Sequence, residues 1–265
     1  MKIQDMAGID LGTRISGYSK FDAILYALAV GARATDLELV YERDLRVLPT
    51  YALALSNWVT EAAGEVGVYD RNRTLHASQS LTIKAPLPPE GKVETRATVG
   101  AVYDKGSAAM VQIDASSEYY DATYTIFVPG FGGWDGDRGP SAGDDPGPGE
   151  DAQAVTSRMT DEQATLYRLT GDVHPVHIDP EVAVANKLEG PIVHGLCTLG
   201  FAARDLGSVI DAKPWELQEI QARFSQPVMP GSTLQSRAYD ITDDSLRFQT
   251  SVDGKPVLKG GQAKF

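Results

Sequence analysis

Apolar and polar positions alternate with a period of two over four stretches, 92–103, 107–114, 233–240 and 245–252. That spacing predicts strands, each with one buried face. Elsewhere the period is helical. Residues 20–31 place Phe21, Ile24, Leu25 and Leu28 on one face, and Ser19 stands where an N-cap belongs. Thr160 and Gln163 have the spacing of a capping box ahead of 161–168. Pro180 suits the first turn of a helix over 181–187, with Asp179 before it as the cap. The run 195–206 is apolar on most sides, which predicts a buried central helix. Helices precede long strands in each half, so the class is α+β, not alternating β-α-β.

The stretch FGGWDGDRGPSAGDDPGPG, 131–149, is too rich in Gly, Pro and Asp to sustain a helix or a central strand. It predicts an N-terminal unit over 1–130, a linker over 131–153 and a C-terminal unit over 154–265. The two units echo each other. Lys84-Ala85-Pro86-Leu87-Pro88-Pro89-Glu90-Gly91 and Ser225-Gln226-Pro227-Val228-Met229-Pro230-Gly231 each give Pro, an apolar residue, a second Pro, then Gly and a strand. A turn of this kind at matched places in both halves points to duplication.

The formal net charge of −12 argues against a nucleic-acid partner, whose backbone requires a basic surface. No apolar run approaches the ~20 residues needed to span a bilayer, and the first residues lack the long apolar stretch of a secretion signal. Cys197 is the one cysteine, so no intrachain disulfide forms. The expected setting is cytoplasmic, with no membrane partner.

Three of the four histidines fall between 174 and 194. Gly171-Asp172-Val173-His174-Pro175-Val176-His177 is followed by Pro191-Ile192-Val193-His194-Gly195. A turn helped by Pro175 would bring Asp172 and His177 to one water molecule. Gly195 opens the central helix, whose free N–H groups can hold a developing oxyanion. Read singly, Asp172 is a turn residue and His177 a packed histidine. His174 and His177 with Asp172 or Asp179 would make a zinc set, but the spacing matches no common zinc motif, and no metal or other cofactor is expected.

YRLTGDVHPVHIDP and GPIVHGLCTLGFAARDL resemble the MaoC-like, hydratase 2 group of hot-dog proteins, the (R)-specific enoyl-CoA hydratases. In the first half, ILYALAVG, DLRVLPT and LHA through KAPLP resemble the N-terminal repeat of the same group. The resemblance implies a double hot-dog, two repeats that each wrap a long antiparallel sheet around a central helix. It implies that the second repeat is catalytic and that the first shapes the acyl pocket. It assigns catalysis to Asp172, His177 and the Gly195 N–H, with (R)-specific hydration of a trans-2-enoyl-CoA to the (3R)-3-hydroxyacyl-CoA in fatty-acid or steroid side-chain β-oxidation.

The same resemblance places His76, Ala77, Lys105, Val173, His174, His194 and Phe224 around an acyl-CoA substrate. His174 departs from the family, which has Asn there, and Ala77 departs from Gly. The departures leave open a second account, a non-catalytic acyl-CoA-binding subunit of a hydratase complex. A thioesterase is an analogy at the level of fold alone. Tyr119, Tyr120 and Tyr124 are expected on the sheet surface as contacts of a homodimer.

Overall fold

The computed structural model describes residues 1–141, 143 and 145–265. Positions 142 and 144 of the expected linker lie outside the described residues. Ten strands form a single antiparallel sheet: β1 (Asp10–Tyr18), β2 (Leu75–Ile83), β3 (Gly91–Asp104), β4 (Ala108–Ser116), β5 (Tyr120–Pro129), β6 (Gln153–Arg158), β7 (Glu219–Phe224), β8 (Thr233–Tyr239), β9 (Ser245–Val252) and β10 (Lys255–Lys264). Their order is β1-β3-β4-β5-β2-β7-β10-β9-β8-β6. Read outward from the middle, both halves run second, fifth, fourth, third, first. The halves meet at β2 and β7, where Ser78 pairs with Arg223, Ser80 with Gln221 and Thr82 with Glu219. This is the double hot-dog that the resemblance implies. The four strands legible in the alternation correspond to β3, β4, β8 and β9.

The helices are α1 (Lys20–Ala29), α2 (Leu37–Val40), α3 (Tyr51–Ser56), α4 (Trp58–Glu65), α5 (Gln163–Arg168), α6 (Pro180–Ala185) and α7 (Gly195–Leu206). Ser19 caps α1 reciprocally. Its hydroxyl accepts from Asp22 N–H, and the Asp22 carboxylate accepts from Ser19 N–H at 2.8 Å. Asp179 caps α6 by accepting from Glu181 N–H at 2.9 Å. As expected, α7 is a buried central helix, with nine of its residues in the core from Leu196 to Leu206.

Three expectations are corrected. The apolar face of α1 is not its buried face: Phe21 is 68% exposed and Leu28 38%, whereas Ala23, Tyr26 and Ala27 are buried. The helix is pulled in by its small-residue side, because α7 approaches closely there. A Cβ on Gly200 would stand 2.5 Å from Val30 Cγ1. Thr160 is not the N-cap of the helix expected over 161–168, because α5 begins only at Gln163 with Glu162 before it. Gln163 makes its half of the box, its side-chain oxygen accepting from Thr160 N–H at 3.3 Å, and its amide donates to Ala29 C=O at 2.6 Å and so ties α5 to α1 across the repeats. Tyr120 and Tyr124 are core residues, not surface ones. Tyr124 donates to Leu53 C=O at 2.7 Å, and Tyr120 shares a 2.8 Å hydrogen bond with Thr95.

In the first repeat the position of α7 is taken by α3 and α4, which the pattern did not reveal. Ala52, Ser56, Val59 and Ala63 are all buried there, at helical spacing. Small residues contribute little to a hydrophobic count, so this stripe reads as weak although it packs fully. The described residues between β5 and β6 form no helix or strand. Asp104 accepts from Gly133 N–H at 2.8 Å and Trp134 N–H at 2.7 Å at one end, and Tyr239 donates to Asp145 at 2.7 Å at the other. No helix among the described residues is long and apolar enough to cross a membrane.

The α1–α7 contact is a stringent test of the packing. Gly200→Val places methyls where Val30 already sits and should cost about 1–3 kcal/mol. Urea unfolding is expected to show a lower midpoint, and an unchanged midpoint would refute the close approach.

Candidate active site

A cavity of about 430 Å³ opens between the repeats, below the β2–β7 seam. The second repeat supplies Asp172, His174, His177, His194, Gly195 and Phe224; the first supplies His76, Asn57, Tyr69 and Arg71. Ala77, Val173 and Lys105 do not line it. Val173 is 58% exposed beside the mouth. Lys105 sits in the β3–β4 hairpin, where its ammonium donates to Arg138 C=O and lies 5.8 Å from the centre of the Tyr103 ring. The chain's own linker therefore occupies that ammonium. The segment 57–71 carries no motif. It reaches the site because α4 and the loop after it cross the cavity, which no local pattern reports.

Pro175 to His177 form one 3₁₀ turn, and this turn aims His177 back at Asp172. The His177 Nδ1–H donates to Ile192 C=O at 2.8 Å. A carbonyl only accepts, so Nδ1 carries the proton and Nε2 keeps its lone pair. The His194 Nε2–H donates to Asp172 C=O at 3.0 Å by the same reasoning, leaving Nδ1 as a buried lone pair with no partner. The two rings stack with centroids 3.5 Å apart. One Asp172 oxygen accepts from His174 N–H at 3.2 Å.

Ligand atoms of Asp172, His177 and His194 lie within 4.8 Å of one another. This cluster differs from the zinc set weighed in the sequence, with His194 in place of His174. Its chemistry is that of two free imidazole lone pairs and one carboxylate around a space that a small polar molecule can enter.

Burial dominates the electrostatics. It depresses His194 to about 3, with the neighbouring His177 ring adding to the effect. It also lowers His177 and His174 below the ordinary imidazole value, and it depresses His76 to about 4. Burial acts to raise the Asp172 carboxyl, but the surrounding imidazoles and the His174 amide outweigh it and hold it below the usual value. At neutral pH the site is thus one carboxylate among uncharged histidines, with acceptors on Asp172 and on His177 Nε2.

Gly195 begins α7, so its N–H has no intrahelical acceptor. A Cβ there would meet the Phe224 ring at 3.0 Å. Glycine lets the ring of Phe224 lie against the helix start, and the His76 ring packs tilted against that of Phe224 with centroids 4.8 Å apart. A donor at a helix N-terminus, an acid–base pair and an apolar wall thus face one cavity.

The fold is thus a double hot-dog with a carboxylate–imidazole pair near the start of the second repeat's central helix. Residues 145–258 match the family described as MaoC like domain, and residues 17–129 match the MFE-2 hydratase 2 N-terminal domain. The chain is 33% identical to a probable enoyl-CoA hydratase 2 of Dictyostelium discoideum, over 91% of this chain and 89% of that protein. It is 35% identical to the peroxisomal multifunctional enzyme type 2 of Mus musculus over 89% of this chain, but only 35% of that much longer protein. The crystal structure of a MaoC-like dehydratase from Phytophthora Capsici superposes with a TM-score of 0.87 at 26% identity, over 99% and 96% of the two chains. The chain belongs to the MaoC-like hydratase 2 family.

The buried histidines link stability to pH. His76 binds a proton near 6.5 when unfolded but only near 4 when folded. The unfolded state therefore takes up protons first as pH falls, and stability present above pH ~6.5 is lost on the way to ~4. His76→Gln should flatten that fall, seen as a smaller difference between urea midpoints at neutral and acid pH. Parallel curves for the two proteins would contradict the assignment.

Proposed function

We propose that this chain catalyses (R)-specific hydration of trans-2-enoyl-CoA to (3R)-3-hydroxyacyl-CoA, a step of β-oxidation. The observation that carries the reading is the convergence of Asp172, the free Nε2 of His177 and the Gly195 N–H on one cavity. A water held between Asp172 and His177 gives up one proton to the pair and adds its oxygen to C3. The electron pair of the C2–C3 bond moves to the thioester, and the enolate oxygen is held by the Gly195 N–H. The pair returns the proton to C2. Both hydrogens and the oxygen of one water end in the product, and no further cofactor takes part.

The division of labour between repeats belongs to the same proposal. Among the described residues the first repeat has His76 in the wall but no counterpart of the Asp172–His177 pair at the cavity, so it shapes the acyl site. The apolar lining from Phe224, Leu196, Val228 and Leu258 suits a fatty-acyl chain or a steroid side chain. The finer setting is a cytoplasmic homodimer, and apolar Phe21 and Leu37 left at the surface suit a second copy.

Purified protein with short, long and sterol-derived trans-2-enoyl-CoAs should consume the conjugated thioester absorbance and yield the 3R alcohol. Asp172→Asn and His177→Ala should each lower kcat by about 10²–10⁴-fold in folded protein. Binding of every substrate without turnover would replace this reading with the acyl-CoA-binding subunit. Release of free thiol would replace it with a thioesterase.

A further inference from the structure

His174 stands at the N-cap of the 3₁₀ turn that carries His177. Its Nδ1 accepts from Val176 N–H at 3.2 Å, and His177 N–H reaches back to His174 C=O at 3.3 Å. A ring nitrogen that accepts carries no proton, so the neutral ring holds its proton on Nε2. His174 is half-buried and lines the cavity, and with Nδ1 engaged its Nε2–H is the ring's remaining donor. The main-chain N–H of the same residue donates to Asp172 at 3.2 Å. One residue is thus bonded to both members of the acid–base pair, to Asp172 by its amide and to the turn of His177 by its ring.

We propose that His174 is a positioning residue of the hydration site, one that caps the His177 turn and presents an N–H to the cavity only while its ring is neutral. This rests on the hydratase reading above. A protonated ring has N–H on both nitrogens, and Nδ1–H would then oppose Val176 N–H. The cap is lost, and the turn that aims His177 loses its anchor.

The groups facing the ring come from both repeats. Asp172 lies on its own loop, His177 is 6.2 Å away between ring centroids, and Arg71 and Glu61 face it from the first repeat. Burial and Arg71 oppose charging, while Asp172 and Glu61 favour it, and opposition wins. The ring is therefore neutral at pH 7, and the cap fails on the acid side. An amide at this position offers an acceptor and a donor without titrating.

The test compares His174→Ala and His174→Asn with the unaltered protein, measuring kcat and KM on one enoyl-CoA from pH ~8 to ~5. His174→Ala should lower kcat by about tenfold or more, the scale of a lost cap, with a smaller change in KM. His174→Asn should recover most of that loss. Its acid limb should be shallower than that of the unaltered protein, because the protonation of His174 no longer adds to those of Asp172 and His177. Retained kcat in His174→Ala, no recovery in a folded His174→Asn, or superimposed acid limbs would each overturn the proposal.

¹⁵N spectroscopy of the histidines reads the cap without substrate, and the Nε2–H form of His174 is expected at neutral pH. Failure of the unaltered protein to hydrate any enoyl-CoA would sink the functional reading. An Nδ1–H form of His174 would sink the cap whatever the activity.

Discussion

The antiparallel pairing of β2 with β7 is the constraint on which the rest depends. Neither repeat has a closed site of its own. The seam fixes the two sheets in one register, from Ser78 opposite Arg223 to Thr82 opposite Glu219, and that register sets His76 against Phe224. Phe224 in turn lies against Gly195, the first residue of the central helix. A shift of one residue would turn every side chain of β2 to the other face of the sheet and remove His76 from the cavity. The link from Gln163 to Ala29 and the close approach of Gly200 to Val30 hold the helices to the same relation.

Within that frame the acid–base groups are sorted by burial. Burial keeps the imidazoles neutral, and the neighbouring imidazoles with the His174 N–H outweigh burial and hold the single carboxyl below its usual value. Carbonyl acceptors then decide the tautomers. Ile192 takes the His177 proton on one side of the ring, and Asp172 C=O takes that of His194. The main chain, through these carbonyls, determines which nitrogen faces the cavity. A helix of alternating polarity could not do this. It needs a short turn and a strand-like segment crossing each other at the start of α7.

Much of this was legible beforehand, for reasons that can be named. Strands with strict alternation were found because a half-buried sheet imposes period two. The capping residues Ser19 and Asp179 were found because an orphan N–H calls for a nearby oxygen. Asp172, His177 and Gly195 could be grouped beforehand because they lie close in sequence, and the fold brings all three to one cavity. Tyr120 and Tyr124 were misplaced because tyrosine suits both a surface and a core, and only a partner for its hydroxyl decides between them. The face of α1 was misread because Phe21 and Leu28 carry more hydrophobicity than the alanines that pack.

By itself the sequence determined the duplication, the buried helix at 195–206 and the grouping of Asp172, His177 and Gly195 in one short stretch, since each depends on neighbours close along the chain. Tertiary structure alone decided that Asn57, Tyr69 and Arg71 join the site, that Lys105 turns to the linker and that His194 stacks on His177. Those relations span tens to more than a hundred residues of chain. They exist only after two sheets have merged and two helices have closed on each other, and no local pattern of side chains encodes a contact made across that distance.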